Sequence, residues 1–475
     1  MTVSVLSFAL VALAALLFTL VRPRWALLLP LIFHPLYLVR TSIGPLPTTG
    51  LEVLIVLAVV TGVVVWRSEL FRSVRALPRS VVILILLFIV AATLSAWVAP
   101  HPRTAWGQWK AFVIEPVAYS FVLLPFLRSP DGQRAVVRSL LAGGVLAAGL
   151  SLAVGIFAFT PFPLHPTPYT PVFSRLQGIY DVPNSLALIL APLAAFAATL
   201  ASTSEQRGLQ RFALGSFLVF VPVLLLSQSM AGLAAAVLGS VFGMWQSRKV
   251  LQHTVALARR HIALTGTLLG IVVVGLAVPW TTGRLTHALS ASSPFHARLQ
   301  IWQVSAELIR DHPVLGTGLG TFEPAYQAKL HELLRSGAWG MGPGAWGVRS
   351  DQGPGPNPRA PLEWVVRDPH NIILSFWLNT GLLGLLSMAG FVALLFRRPY
   401  ALFTPQSPKG EVGHPTPYTL AAQAALAAAL LFGLVDVPYF KNDLVLLWWI
   451  SLFLPTDNGS WKYGRTPTGT SQRTL

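Results

Sequence analysis

Long apolar runs are the feature that most limits what this chain can fold into. They recur near 3–20, 25–39, 51–66, 81–99, 111–127, 139–158, 184–201, 212–227, 230–246, 263–280, 371–396, 418–437 and 441–455. A helix needs roughly 20 apolar residues to cross a hydrocarbon core, and most of these runs are close to that length. No water reaches the backbone inside the bilayer, so a spanning segment must satisfy its own amides, as a helix does. The shorter alternating segments of a membrane β-barrel are absent from the sequence. The expected fold is therefore an all-α polytopic membrane protein with about 12–13 transmembrane helices. The range reflects the short last run, interrupted by Asp443, and the tight junction around Ser227–Met230.

Composition agrees. Hydrophobic residues make up 54% of the chain and charged residues 11%, with a mean hydropathy of +0.63; a soluble domain carries roughly 25% charged residues. There is no cysteine, which removes disulfides, thiolate metal sites and cysteine nucleophiles. The net charge of +17 is scattered over short connections rather than gathered on one soluble face, so no nucleic-acid partner is expected. The first run has no basic n-region and no small-residue cleavage site, and is expected to remain as a helix.

Alternate connections hold most of the lysine and arginine: Arg22 and Arg24; Arg67, Arg72, Arg75 and Arg79; Arg128, Arg134 and Arg138; Arg207 and Arg211; Arg248, Lys249, Arg259 and Arg260; Arg397, Arg398 and Lys409; and the tail. The opposite short loops hold only Arg40, Arg103, Lys110, Arg175 and Lys441. By the positive-inside rule the first set faces the cytoplasm. The long polar stretch after the tenth run is then expected outside, in the periplasm or its equivalent. The expected organisation is a transmembrane bundle over 1–280, a loop domain over 281–370 containing short helices, further transmembrane helices over 371–455 and a cytoplasmic tail over 456–475. No repeat period or matched pair of interrupted spans shows, which argues against an inverted-repeat transporter.

Within the long loop, 297–311 has helical periodicity, with Leu299, Trp302, Ala306 and Ile309 on one stripe. Arg298 and Trp302, four apart, share a face. Asp311-His312-Pro313 stops that helix, and Gly316-Thr317-Gly318-Leu319-Gly320 makes a tight turn. No strand precedes this turn and no Lys-Ser/Thr follows it, so it is not a nucleotide loop. Residues 336–361, rich in glycine, proline and tryptophan, suit a mobile flap, with a disordered insertion as the other reading.

The loop ends in Arg367-Asp368-Pro369-His370-Asn371. Asp368 reads as a helix N-cap and Pro369 as the first helical residue, which puts His370 in the first turn. The helix dipole there disfavours imidazolium, giving a neutral ring able to accept a proton near pH 7; a capping or interfacial histidine is the other reading. Arg175 suits phosphate oxygens through its fork of donors, or simply pairs with Asp181. Glu115, inside a span, is a functional candidate by position, or a partner of Lys110. Asp436 and Asp443, flanking Lys441, read as a structural ion-pair cluster.

Several of these pieces resemble one family. His370-Asn371, nine residues, then Gly381-Leu382-Leu383-Gly384 fits the H-N-x9-G-x-x-G signature of bacterial O-antigen ligases. Arg298 to Trp302 followed by Asp311 to Phe322 is similar to the shared segment of the ligase/O-antigen polymerase superfamily, as are Arg175 to Asn184 and Gly433-Leu434-Val435-Asp436. The resemblance implies a GT-C-like, inverting, metal-independent glycosyltransferase with no cofactor. Its donor would be a glycan on undecaprenyl diphosphate and its acceptor a hydroxyl of lipid A–core or a similar glycolipid. Carried onto this chain, His370 would be the catalytic base, Arg175 and Arg298 would bind the diphosphate, and Arg367, Asn371, Trp302 and Glu115 would support them. No metal ligand is implied. Met230 stands where the family commonly has an arginine, and the family's R-x3-L appears here as Arg175-x3-Ile179. Two alternatives remain: a polymerase of the same superfamily, or a transporter for lipid-linked sugar in which His370 is only a gate.

Overall fold

The computed structural model describes residues 5–43, 46–158, 175–247, 294–336, 363–397 and 416–454, with Gly266 and Gly270 besides. The expected span at 263–280, the flap after Ser336 and the tail after Leu454 lie outside the described residues, those two glycines excepted.

The chain opens with α1 (Val5–Val21) and then departs from expectation. The run 25–39 is not one helix but three short pieces: α2 (Pro23–Ala26), α3 (Leu29–Ile32) and a 3₁₀ turn (His34–Leu38). Pro23, Pro30 and Pro35 each sit at the start of a piece, where the missing N–H costs least; within a continuous helix each would remove a bond and clash with the preceding turn. A two-stranded antiparallel hairpin follows, β1 (Arg40–Ile43) and β2 (Leu46–Thr49), in register from Arg40↔Thr49 to Ile43↔Leu46.

Thr49 caps α4 (Gly50–Val65) in a reciprocal box with Glu52. After Val65 the chain bends by 95° into α5 (Arg67–Arg75). Next come α6 (Arg79–Val98) and α7 (Pro102–Leu127), the latter passing through a π turn at Lys110–Ile114. Residues 102–110, expected as a loop, are therefore helical. The bundle continues with α8 (Pro130–Ala158), α9 (Pro183–Thr203), α10 (Arg207–Ser227), α11 (Met230–Trp245), α12 (Pro294–Asp311), α13 (Phe322–Arg335), α14 (Ile372–Arg397), α15 (Pro417–Gly433) and α16 (Asn442–Phe453).

The protein is thus mostly helical and polytopic. Among the described residues six helices are long and apolar enough to cross a membrane (α6 to α10 and α14), or seven if the bent pair α4–α5 counts as one span. Four of the other predicted runs appear as apolar helices of 10–17 residues (Phe8–Val21, α11, α15 and α16).

Helix α9 forms the centre. Every residue from Leu186 to Ala201 is buried, and alanines at 187, 191, 194, 195, 197 and 198 let neighbouring backbones approach closely, as membrane helices require. A second seam pairs α6 with α14, where a Cβ on Gly390 would come within 2.8 Å of Leu84.

Helix α14 is broken at Gly381, which takes φ 70°. The loop between α12 and α13 fits into the break. Leu382 N donates to Val314 O (2.9 Å), Thr317 N to Leu378 O (2.9 Å) and Gly320 N to the Asn379 side chain (3.0 Å). Backbone groups freed by the break are thus re-satisfied, which a membrane demands of any interrupted helix. Gly316, Gly318 and Gly320 all adopt positive φ to make this possible. The nine residues Ile372–Thr380 become a separate arm leading back to His370.

Candidate active site

The segment Glu363–Asn371 is held from below by the α12–α13 hairpin. Val366 is buried in the apolar cluster of Ile301, Leu308, Tyr326 and Leu330. The Tyr326 hydroxyl donates to Glu363 O (3.1 Å), and the Trp302 indole donates to Pro369 O (3.0 Å). Trp302 thereby fixes the backbone one residue before His370.

The expected helix start is displaced. Asn371 is the cap: its Oδ1 accepts from Ile373 N (3.0 Å) and Leu374 N (3.2 Å), and α14 begins at Ile372. Asp368 instead accepts the backbone N–H of His370 (3.0 Å), and Pro369 lies outside the helix. His370 adopts φ 46°, the left-handed region. For a non-glycine residue this costs about 1–2 kcal/mol, and such strain concentrates at functional sites.

His370 Nδ1 is shielded from solvent, 3.3 Å from Asp368 Oδ1 and 3.9 Å from Asp436 Oδ1. Burial pushes the imidazole pKa down and Arg298 adds to that push, but Asp436 and Asp368 outweigh both and raise it above its ordinary value. Burial likewise pushes the Asp436 carboxyl up, and His370, Lys441 and the Val437 amide bring it below its ordinary value. The expectation of a ring kept neutral by a helix dipole is therefore corrected: the ring stands before the helix and faces two carboxylates.

Asp368, His370 and Asp436 each offer one ligand atom, and those atoms lie within 4.8 Å of one another. One nitrogen and two carboxylate oxygens could hold a divalent cation. The same atoms equally suit a histidine whose Nδ1–H is fixed by carboxylates.

Asp436 belongs to the connection Leu434–Lys441, the hub that sequence reasoning missed. Asn371 Nδ2 donates to Leu434 O (3.0 Å) and Arg298 Nε to Val435 O (2.8 Å). With Asp436 facing His370, three consecutive residues of the connection receive the three side chains. Among the described residues the terminal amino groups of Arg298 have no partner. At the far end of the connection, Lys441 Nζ lies 3.3 Å from Ser185 Oγ. The neighbouring Asn184 Oδ1 accepts from Arg175 (2.7 Å), whose Nε also donates to Ser227 O (3.0 Å). A run of contacts thus links Arg175 to the His370 cluster through the start of α9 and the hub. The anticipated Asp436–Lys441–Asp443 ion-pair cluster does not form in that way, because Lys441 bonds Ser185, Asp436 turns to His370, and Asp443 accepts from Tyr180 (3.4 Å).

Two supporting candidates stand elsewhere. Glu115 lies in a separate cluster with Glu52 and Lys110, Lys110 Nζ being 2.8 Å from Glu52 and 3.8 Å from Glu115. Arg367 is exposed and has no partner among the described residues. The residues missed were Asp436, and Asp368 as a neighbour of the ring rather than a cap. The one available signal was the Gly433-Leu434-Val435-Asp436 likeness, which says nothing of where that aspartate points.

Residues 212–389 match the family model of O-antigen ligases. The matched stretch takes in Arg298, Trp302, the glycine turn, His370 and the break at Gly381, and leaves out Arg175 and Asp436. No curated protein matches the chain.

Proposed function

From a chain that carries an O-antigen ligase domain over residues 212–389, and so is a multi-pass membrane enzyme of the glycosyltransferase kind acting on lipid-linked glycans, we propose a specific reaction. The protein transfers a glycan from undecaprenyl diphosphate to a hydroxyl of lipid A–core or a comparable glycolipid, with inversion and without a metal ion. The observation that carries this reading is His370 set between two carboxylates with Arg298 alongside.

Asp368 and Asp436 stand on the Nδ1 side of the ring, and with the proton kept there the lone pair resides on Nε2. Nε2 takes the proton of the acceptor hydroxyl as that oxygen attacks the anomeric carbon. The bond from that carbon to the diphosphate oxygen breaks on the opposite face, giving inversion. The departing diphosphate carries the negative charge, which the terminal amino groups of Arg298 are suited to meet, with Arg175 contributing from the α9 side. Preorganised donors aimed at developing charge are commonly the largest single contribution to such steps. The indole of Trp302, bonded to Pro369 O, holds the backbone beside the base before substrate arrives.

Purified protein supplied with an undecaprenyl-diphosphate glycan tests this reading, with and without a lipid A–core acceptor and with and without EDTA. Glycan on the acceptor, unaffected by EDTA, is the expected product. Longer glycan on the lipid carrier would instead make the protein a polymerase. Loss of transfer in EDTA, restored by Mg²⁺ or Mn²⁺, would put a cation among Asp368, His370 and Asp436.

A further inference from the structure

A second site lies at the other end of the bundle. Tyr439, in the hub, donates to Phe112 O near the start of α7 (3.0 Å). Phe126 is fourteen residues further along the same helix, about 21 Å away at 1.5 Å per residue. Around Phe126, between the α1–α2 turn, the α4–α5 bend and the start of α8, is a cavity of about 550 Å³. Small-molecule sites span roughly 300–1,000 Å³.

The lining combines apolar Trp25, Leu28, Trp66 and Phe126 with charged Arg24, Glu69 and Asp131. Its depth in the membrane follows from the fold. Helix α4 turns by 95° into α5, whose arginines alternate with Leu70 and Val74 packed on the core and Phe71 left exposed. Such a helix lies in the interface between headgroups and acyl chains. Tryptophans at that level, here Trp25 and Trp66, are interfacial residues. The cavity therefore opens where phospholipid headgroups reside.

The charges select among headgroups. Among the described residues Arg24 makes no ion pair. Glu69 is met by Arg72 (3.3 Å) and Asp131 by Arg134, in each case from the next turn of its own helix. A phosphate diester is matched by Arg24. A headgroup with only negative charge would face two carboxylates, and a quaternary amine has no N–H to give them. We propose that this cavity binds the headgroup of a primary-amine phospholipid, of the phosphatidylethanolamine class, with its phosphate on Arg24 and its ammonium toward Glu69 and Asp131. The site is independent of the glycan-transfer reading.

Titration of the purified full-length protein in detergent with phosphatidylethanolamine, phosphatidylcholine and phosphatidylglycerol of identical acyl chains tests it. Native mass spectrometry counts the bound lipid, and the unfolding midpoint gives a second readout. The ethanolamine lipid should bind most tightly, and Arg24→Gln should weaken it by about tenfold or more, as expected for loss of a charge-assisted hydrogen bond. Replacing both carboxylates, Glu69→Gln with Asp131→Asn, should turn the preference toward phosphatidylglycerol. His370→Ala should bind lipid as the unaltered protein does. Equal binding of the three lipids, preference for phosphatidylglycerol in the unaltered protein, or unchanged affinity in a folded Arg24→Gln protein would overturn the assignment.

Discussion

At the scale of single residues, the site depends on what surrounds one imidazole. Asp436 and Asp368 hold the His370 pKa above its ordinary value against burial, so the ring is the protonated partner at low pH and the free base at high pH. Transfer should therefore rise as pH increases through that raised pKa. Asp436→Asn should move this acid limb to lower pH and lower the plateau, measured as a pH–rate profile. Stability has the opposite sign. The attraction between imidazolium and carboxylates is fully present below the unfolded histidine pKa and is lost as pH climbs through the folded one. The unfolding midpoint should fall over that window in the unaltered protein and flatten in Asp436→Asn. Arg298→Lys keeps a charge but loses the fork that bonds Val435 while leaving amino groups for substrate; transfer should drop by about tenfold or more, read as kcat/KM for the donor.

At the scale of elements, the glycine signature acquires a physical cause. Gly381 takes φ 70°, and a Cβ there would sit 2.3 Å from Val314 O. Gly381→Ala combines left-handed strain of about 1–2 kcal/mol with that clash, and should lower the unfolding midpoint and abolish transfer. Gly149→Ala is the control, since nothing among the described residues lies within 4 Å of its Cβ position inside α8; it should be neutral or stabilising by roughly 0.5–1 kcal/mol. The spacing of His370 to Gly381 was legible as a motif, and so was a helix over 297–311, observed as Pro294–Asp311, because a period of three and four residues needs no knowledge of neighbours. The break in α14 was not legible, because an apolar run reads the same whether one helix or two fill it. The breakup of 25–39 was written in Pro30 and Pro35 within it and Pro23 just before it, and hydropathy alone hid it. Asp436 escaped for a different reason: its partner comes from a distant part of the chain, and a buried aspartate between apolar helices looks structural until packing brings a histidine to it.

At the scale of the whole molecule, the arginine asymmetry of the short loops expects His370 on the outer side and α5 on the cytoplasmic side. The absence of cysteine makes this directly measurable. A single Val365→Cys, at a position 63% exposed, should react with a membrane-impermeant maleimide added to intact spheroplasts. Phe71→Cys on α5 should react only after the membrane is opened. The reverse pattern would invert the topology and remove the outer-face reading of the site. Sidedness is one question and chemistry another. For the chemistry, the most direct measurement is single-turnover transfer from an undecaprenyl-diphosphate glycan by His370→Ala, run beside donor binding to the same protein. Donor affinity should stay within a few-fold of the unaltered enzyme while transfer falls by about 10²–10⁴, the usual contribution of a general base. Transfer at the unaltered rate, in a folded protein that binds donor, would remove His370 from that role.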